Sequence, residues 1–444
     1  MFVFIGFLPA CVLLGNGVGT PVAFLAGGLV VALLAVGLIK MSDRLDKPGG
    51  FYAMITAGLG KTVGLAAGFT ALTTYFLALI AAYALGGIAL ATVITGVFDG
   101  PDIAWQVFAF VMLVFGSILG YFNINVSAKV LTYFLAAELL LILTYDISVL
   151  AQGGANGIGF DSFTGDQISS GSLPIAFLFA IGLFGGFEAT VIFRDEVRNP
   201  KRTIPTATYG VITLMVVLYT LTAWCFINAY GADVIMDVVT NDPAGASSAS
   251  VRDYVGTFAY DIATILLFTS ALALVLAAHN ITSRYLFNLG ADRIFPRKLG
   301  EAHPRYVSPH RASIVVSIAT LGVLVFFVVA DPDPGTLYAR LAGLFSYALV
   351  MLLTIVALAI VVFLLRDRAH GQATAAVCAT SIALVALFVT FVLATKNFTV
   401  LTGATGTPKA VLLGVIFGVT LLGLVWAIIL KCTRPEVYAR IGRE

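Results

Sequence analysis

Long uninterrupted runs of apolar residues dominate the chain and predict its architecture. A helix needs about 20 residues to cross the hydrocarbon core of a bilayer. Because an open strand edge leaves backbone groups unsatisfied in hydrocarbon, each long run is expected to be a helix. The predicted spans are 21–40, 63–96, 103–122, 126–150, 173–193, 206–229, 255–288, 311–330, 336–365, 373–395 and 409–431. The predicted fold class is therefore an all-α polytopic membrane protein with eleven full transmembrane helices.

The first apolar segment, Phe2–Leu14, is shorter than these spans. As a helix it is about 20 Å long against a core of about 30 Å, so it predicts half a crossing. The glycine-rich run Gly15–Gly19 follows no strand, so it is not a dinucleotide-binding motif, and Gly15–Pro21 is expected to be an outer turn. A helix that descends from this turn leaves the Met1 ammonium inside the membrane. Charge there is costly unless it reaches water or a carboxylate.

Basic residues orient the predicted spans. If the 41–62 loop lies in the cytoplasm, all but four of the 25 Lys and Arg residues fall on that side. The exceptions are Arg252, Arg340, Lys396 and Lys409. Loops rich in Lys and Arg lie on the cytoplasmic side of polytopic proteins. The sequence therefore predicts a multi-pass protein of the plasma (inner) membrane with a cytoplasmic C-terminus.

Composition excludes several other classes of protein. Apolar residues make up 60% of the chain and charged residues 11%, with a net charge of +2, so nothing indicates nucleic-acid binding. The four cysteines have no metal-site or redox spacing. No cofactor or metal is expected. The chain has no Gly-Lys-Ser/Thr phosphate loop and no catalytic pair, so neither a primary pump nor an enzyme is expected.

The strongest candidate for a substrate site lies in the predicted span 173–193. Three glycines within five residues destabilise a helix there, because each costs about 1 kcal/mol relative to alanine. Two interpretations stay open: an unwound backbone that lines a cavity and binds an ammonium through free carbonyl groups, or close packing of helices by small residues. The candidate substrate-binding residues of this segment are Gly182, Leu183, Phe184, Gly185 and Gly186.

Glu188 follows these glycines at membrane depth. A carboxylate at the bilayer centre costs about 2.5–3.5 kcal/mol and usually faces a cavity or a partner. Glu188 is therefore a candidate for proton coupling or gating. The alternative is a structural carboxylate that bonds nearby helix ends or a cytoplasmic arginine.

Other polar and aromatic residues within the spans are weaker candidates. Glu138 is a second intramembrane acid, Asp146 is expected to reach the outer headgroups, and His279 is expected to be structural. Three further candidates for substrate binding offer an aromatic face to an ammonium group, namely Tyr75, Tyr83 and Phe345.

Three segments together resemble the amino acid–polyamine–organocation superfamily. They are Lys47–Tyr52 (KPGGFY), Gly185–Pro205 (with GGFEA and DEVRNPKRTIP) and Arg284–Pro304 (with RYLFNLGADR and HP). The resemblance implies one transporter domain over residues 1–444, with motif loops at 41–62, 194–205 and 289–310 in the cytoplasm. It also implies twelve helices, an inverted repeat of helices one to five and six to ten, and substrate binding where helices one and six are broken.

The chain departs from this pattern at its first helix, because only the outer half, about residues 1–14, is present. We expect either a true start upstream of Met1, which is favoured because the rest of the chain matches, or loss of part of the site. The chain as written is accordingly expected to be inactive or poorly stable.

The predicted function is secondary active transport of amino acids or related amines, by alternating access around a broken sixth helix. Proton coupling and exchange both stay open. The expected partners are a small-molecule substrate, membrane lipid and, as the candidate coupling ion, a proton. The scarcity of charge at mid-depth favours a neutral or apolar amino acid. The alternative function is a non-transporting sensor, subunit or scaffold of the same fold.

Overall fold

A computed structural model describes residues 1–45, 50–122, 128–188, 197–306, 308–367 and 373–442. These residues are mostly helical. The principal helices are α1 Phe2–Leu14, α2 Thr20–Ser42, α3 Gly50–Leu59, α4 Lys61–Thr92, α5 Trp105–Phe122, α6 Ala128–Gln152, α7 Leu173–Gly182, α8 Pro200–Tyr230, α9 Ile235–Asn241, α10 Ala246–Val255, α11 Thr257–Ala291, α12 His310–Ala330, α13 Pro334–Arg366, α14 Thr374–Lys396 and α15 Gly406–Thr433. Shorter helical segments are Gly17–Gly19, Val93–Val97, Asp161–Phe163, Gly165–Ile168, Arg297–Gly300, Phe398–Thr402 and Pro435–Tyr438.

Within the described ranges, ten helices are long and apolar enough to cross a membrane. They correspond to ten of the predicted spans, and the all-α class is confirmed. The remaining predicted span, 173–193, does not form one continuous helix, because α7 ends at Gly182 and turns follow as far as Glu188. The rest of that span, 189–193, lies outside the described residues.

The bundle has a buried centre and an apolar outer surface. Helices α4 and α13 are the most buried of the long helices, and they pack against each other and against α3. The outer helices α12, α14 and α15 expose large apolar side chains, among them Phe326, Val329, Ile382 and Val415. Apolar side chains at this density would be unfavourable in water, whereas lipid accommodates them. The outer helices therefore form the lipid-facing surface.

Two short helices, α1 and α7, run antiparallel through one half of the bundle. Their outer ends are joined where the Ser172 N–H donates to the Gly15 carbonyl at 2.8 Å. Further in, the rings of Phe7 and Phe179 pack edge to face at 5.4 Å. The turn predicted at Gly15–Pro21 is present at the outer ends as far as Gly19, but α2 already begins at Thr20. As a result, the first residue of α1 and the last residue of α7 both lie inside the bundle.

The opposite end of the bundle carries the motif loops. The Tyr52 hydroxyl donates to Asp292 Oδ2 at 2.7 Å, which joins the first motif segment to the third. The Gly442 N–H donates to the same oxygen at 3.1 Å, and Lys61 Nζ donates to the Ala439 carbonyl at 2.6 Å. The C-terminal segment therefore lies on the same side of the bundle as the 41–62 and 289–310 loops. Residues 194–196 of the second motif loop lie outside the described residues.

Candidate functional site

A cavity of about 520 Å³ lies where the inner ends of α1 and α7 meet. Faces of α2, α4, α6, α8, α11 and α13 complete its walls. Cavities of this size hold small organic ligands. Its walls are mainly apolar, so the few polar groups that reach it decide what it binds.

The backbone at one end of the cavity is broken at the predicted glycines. Helix α7 ends at Gly182, and Gly186 has a φ of +101°, a left-handed conformation that glycine adopts without strain. A Cβ on Gly182 would lie 2.3 Å from Ser346 Oγ in α13. The two interpretations of the glycine cluster therefore hold at different positions, since Gly182 allows close helix packing and Gly186 permits the break.

The carbonyl end of α7 faces the cavity, which is lined by Gly182, Leu183 and Gly185. The carbonyl end of a helix carries a partial negative charge from the aligned peptide dipoles. The aromatic ring of Phe345 lines the same cavity. This end is therefore electrostatically suited to a cation, and an ammonium group is the cation that the predicted substrates share.

Glu188 lies next to the break but is only 2% exposed. The hydroxyl of Tyr75 donates to its Oε1, and the backbone N–H of Gly186 donates to its Oε2 at 3.0 Å. Tyr75 in turn stacks on Tyr285 at 5.5 Å. Two neutral donors thus satisfy a buried carboxyl group, which would otherwise be costly at this depth.

The other predicted residues divide into two groups. Phe184 packs against Tyr219, whose side chain lines the cavity, and Tyr75 lies one helical turn from Ala78 in the cavity wall. Tyr83 is fully buried and packs against Gly116 in α5, away from the cavity. The structure thus brings Gly182, Leu183, Gly185 and Phe345 together at the cavity, and Tyr75 and Glu188 together beside it.

Glu138 is the cavity residue to which the sequence assigned no role. Its Oε2 accepts a hydrogen bond from the Met1 ammonium at 2.8 Å, and its Oε1 accepts one from Ser270 Oγ at 2.5 Å. The Met1 charge therefore has the carboxylate partner that its depth in the membrane requires. The sequence shows that Glu138 lies within a predicted span, but it does not show that its side chain points into the cavity.

Two further polar residues have structural surroundings. Asp146 was expected to reach the outer headgroups, and this is wrong, because it is 1% exposed and accepts a hydrogen bond from Thr222 Oγ1 at 2.9 Å. The packing of α6 against α8 encloses the carboxyl group before it can reach the surface. His279 is also buried and bonds Ser313 Oγ at 2.8 Å, as expected of a structural histidine.

Comparison with known proteins gives a consistent assignment. A family model described as amino acid permease matches residues 3–437. The chain is 25% identical to an uncharacterised transporter of Rhizobium meliloti, over 76% of this chain and 73% of that one. It is 24% identical to the aromatic amino acid permease FywP of Lactococcus lactis, over 84% and 82%, and 24% identical to the low-affinity putrescine importer PlaP of Escherichia coli, over 68% and 66%.

The match to the family model extends over the helices that build the cavity as well as the motif loops. The family and these relatives are transporters, so the expectation that the chain is not an enzyme is confirmed. The chain is a multi-pass membrane transporter for amino acids or related amines and belongs to the amino acid permease family.

Proposed function

We propose that this transporter carries its substrate across the plasma membrane by alternating access around the glycine break at 182–186. The C-terminus and the motif loops lie in the cytoplasm, and transport is coupled to protons or proceeds by exchange. The observation that carries the proposal is the cavity at the inner ends of α1 and α7. Binding sites between interrupted helices near the bilayer midplane are a recurrent design of secondary transporters.

The substrate ammonium is recognised at the carbonyl end of α7. The helix dipole gives the carbonyl end of α7, near Gly182 and Gly185, a partial negative charge, and the ring of Phe345 supplies a π-face. The names of the relatives support substrates that carry an amine, since one is an aromatic amino acid permease and another a putrescine importer.

The contact between Tyr75 and Glu188 closes the cavity on the proposed cytoplasmic side. Helix α4 rises from Lys61 at that side, and Tyr75 precedes Ala78, which lines the cavity, by one turn. Breaking the hydrogen bond from Tyr75 to Glu188 would loosen the wall directly below the substrate. Protonation of Glu188 turns an acceptor of two hydrogen bonds into a potential donor, so a proton that arrives at this carboxyl group changes the stability of the closed wall.

The test is uptake of labelled amino acids and amines by purified protein in proteoliposomes, with and without a pH gradient, and in counterflow with internal substrate. We expect saturable uptake that either the gradient or the internal substrate stimulates. The cavity between α1 and α7 and the pairing of Met1 with Glu138 favour this outcome over the inactivity expected from the short first helix. Liposomes without protein provide the background. If the folded protein transports no member of the panel, the proposal fails, and the non-transporting sensor or scaffold becomes the better description.

A further inference from the structure

We propose that Glu138 binds the ammonium group of the substrate, and that the cavity selects molecules with one ammonium group and an apolar, preferably aromatic, remainder. The inference rests on the proposed function for its biological meaning, because it concerns the same cavity. It adds a charged anchor on α6 to the backbone carbonyl groups of α7.

The carboxylate of Glu138 is placed for this role. Its side chain is 15% exposed and lines the cavity, so a ligand has access to it. Ser270 Oγ in α11 donates to Oε1 and fixes the orientation of the group, which leaves Oε2 directed at a nitrogen donor. A charge-assisted hydrogen bond in surroundings of low polarity is stronger than one between neutral groups.

A nitrogen cation already occupies this position in the structure. The Met1 ammonium lies 2.8 Å from Oε2, and Met1 itself lines the cavity. The contact shows that the space beside Oε2 accepts an ammonium group at ordinary hydrogen-bond distance. The substrate ammonium takes this hydrogen-bonding position by displacing the Met1 ammonium from Oε2.

The rest of the cavity determines the remainder of the substrate. Among the described residues that line it, Glu138 is the sole Asp, Glu, Lys, Arg or His. The aromatic side chains of the wall are Phe2, Phe4, Phe7, Phe24, Phe134, Tyr219 and Phe345. The α-carboxylate of an amino acid is partly compensated by the ammonium group beside it. A second ammonium group, as in a diamine, or a side-chain carboxylate would be desolvated here without an oppositely charged side chain, which is costly. An aromatic body, by contrast, gains buried apolar contact.

The experiment measures ligand binding to the purified full chain in detergent, as the ligand-induced rise of the unfolding midpoint over a concentration series. The probes are phenethylamine, L-phenylalanine, putrescine, L-glutamate and 2-phenylethanol, which has the shape of phenethylamine without its charge. The variants are Glu138→Gln, which keeps the shape of the side chain, and Glu138→Asp, which keeps the charge. Asp146→Asn is the matched control, because it neutralises a buried carboxyl group on the same helix outside the cavity.

We expect wild-type protein to bind phenethylamine and L-phenylalanine in preference to putrescine, L-glutamate and 2-phenylethanol. Glu138→Gln should weaken phenethylamine binding roughly 10- to 100-fold, as loss of a charge-assisted hydrogen bond implies. The same variant should leave 2-phenylethanol binding unchanged, so that discrimination between the two probes largely disappears. Glu138→Asp should restore part of the loss, and Asp146→Asn should match wild type.

Equal binding of phenethylamine by wild type and Glu138→Gln overturns the inference, as does an equal loss of the charged and uncharged probes. Absence of binding by both phenethylamine and L-phenylalanine also overturns it. Uptake measured in proteoliposomes separates this test of Glu138 from the test of the proposed transport function. Binding that depends on Glu138 without any uptake contradicts the proposed function alone, whereas uptake that is indifferent to Glu138 contradicts the inference alone.

Discussion

Glu138 and Glu188 are both glutamates at membrane depth, yet their surroundings differ in a way that separates two tasks. Glu138 is 15% exposed, lines the cavity and contacts a cation. Glu188 is 2% exposed, lies beside the cavity and is held by a tyrosine hydroxyl and a backbone N–H. The first is suited to hold a substrate, and the second to hold the wall of the site together. The position of an acid along a span does not distinguish these tasks, whereas its partners do.

The origin of the difference is local for one residue and tertiary for the other. Glu188 follows a helix break, and the left-handed Gly186 turns its own N–H toward the carboxylate. Glu138 lies within the continuous helix α6, so its direction depends on how that helix is rotated against α8 and α11. Substitutions that act on one glutamate and not the other therefore test whether the two tasks are separate.

The largest effect is expected for Gly182→Ala, because it disturbs the surroundings of both Glu138 and Glu188. The added Cβ would lie 2.3 Å from Ser346 Oγ, so α7 must move away from α13. Overpacking of this kind costs about 1–3 kcal/mol, and the movement also displaces the carbonyl groups that face the cavity. We expect uptake to be lost and the unfolding midpoint in detergent to fall.

The double variant Gly182→Ala with Ser346→Gly should recover much of both losses, because it removes the clashing side chain. Gly414→Ala is the control, since a Cβ there meets no atom within 4 Å. A single Gly182→Ala variant with wild-type uptake would show that close packing at the break is dispensable.

The next largest effect is expected for Glu188→Gln, which should fold and insert. We expect the maximal uptake rate to fall by about tenfold and its dependence on pH to flatten, because loss of a charge-assisted hydrogen bond is worth about 1.5–3 kcal/mol. Binding of phenethylamine should change little, in contrast to Glu138→Gln. The measurement is the initial uptake rate across a pH series, together with equilibrium binding of phenethylamine. Wild-type uptake with unchanged pH dependence would return Glu188 to a structural role.

A smaller effect is expected for Tyr75→Phe, which removes one donor to Glu188 and keeps the stacked ring. Because the Gly186 N–H still donates to the carboxylate, the net loss should be smaller than for Glu188→Gln, about 0.5–1.5 kcal/mol, and the uptake rate should change by roughly two- to tenfold. If the hydrogen bond between Tyr75 and Glu188 holds the cavity wall closed, Tyr75→Phe combined with Glu188→Gln should be no slower than Glu188→Gln alone. Additive losses would show that the two residues act independently.

The smallest effect is expected for Tyr83→Phe. In the described part of the chain, the Tyr83 hydroxyl has no hydrogen-bond partner, and its ring is buried away from the cavity. Removal of the hydroxyl should change uptake and stability by less than about 0.5 kcal/mol, as for substitutions away from any specific contact. The measurement is the uptake rate of Tyr83→Phe compared with that of Tyr75→Phe in the same assay. A loss of substrate affinity would restore Tyr83 as a binding residue.

The sequence predicted the features that depend on local physics. Apolar run length located the spans, and glycine density located the end of α7 at Gly182. The acid after the break was visible for the same reason, since few carboxyl groups occur at this depth. The motif segments also identified the family that the comparison with known proteins confirmed.

The sequence did not predict how the helices are rotated and packed against one another. Nothing near Glu138 in the chain reveals that it faces Met1 and Ser270, which are 137 and 132 residues away. The enclosure of Asp146 by Thr222, 76 residues further on, was missed for the same reason. In an apolar helix with little amphipathic pattern, the residues themselves do not show which face meets the cavity and which meets the lipid.

The most direct test of the division between the two glutamates is the concentration dependence of labelled L-phenylalanine counterflow in proteoliposomes that contain wild type, Glu138→Gln or Glu188→Gln. We expect Glu138→Gln to raise KM roughly 10- to 100-fold with little change in maximal rate, in line with a lost ammonium contact. We expect Glu188→Gln to lower the maximal rate with little change in KM. Equal changes of both parameters in the two variants, or no change in either, would contradict the separate roles.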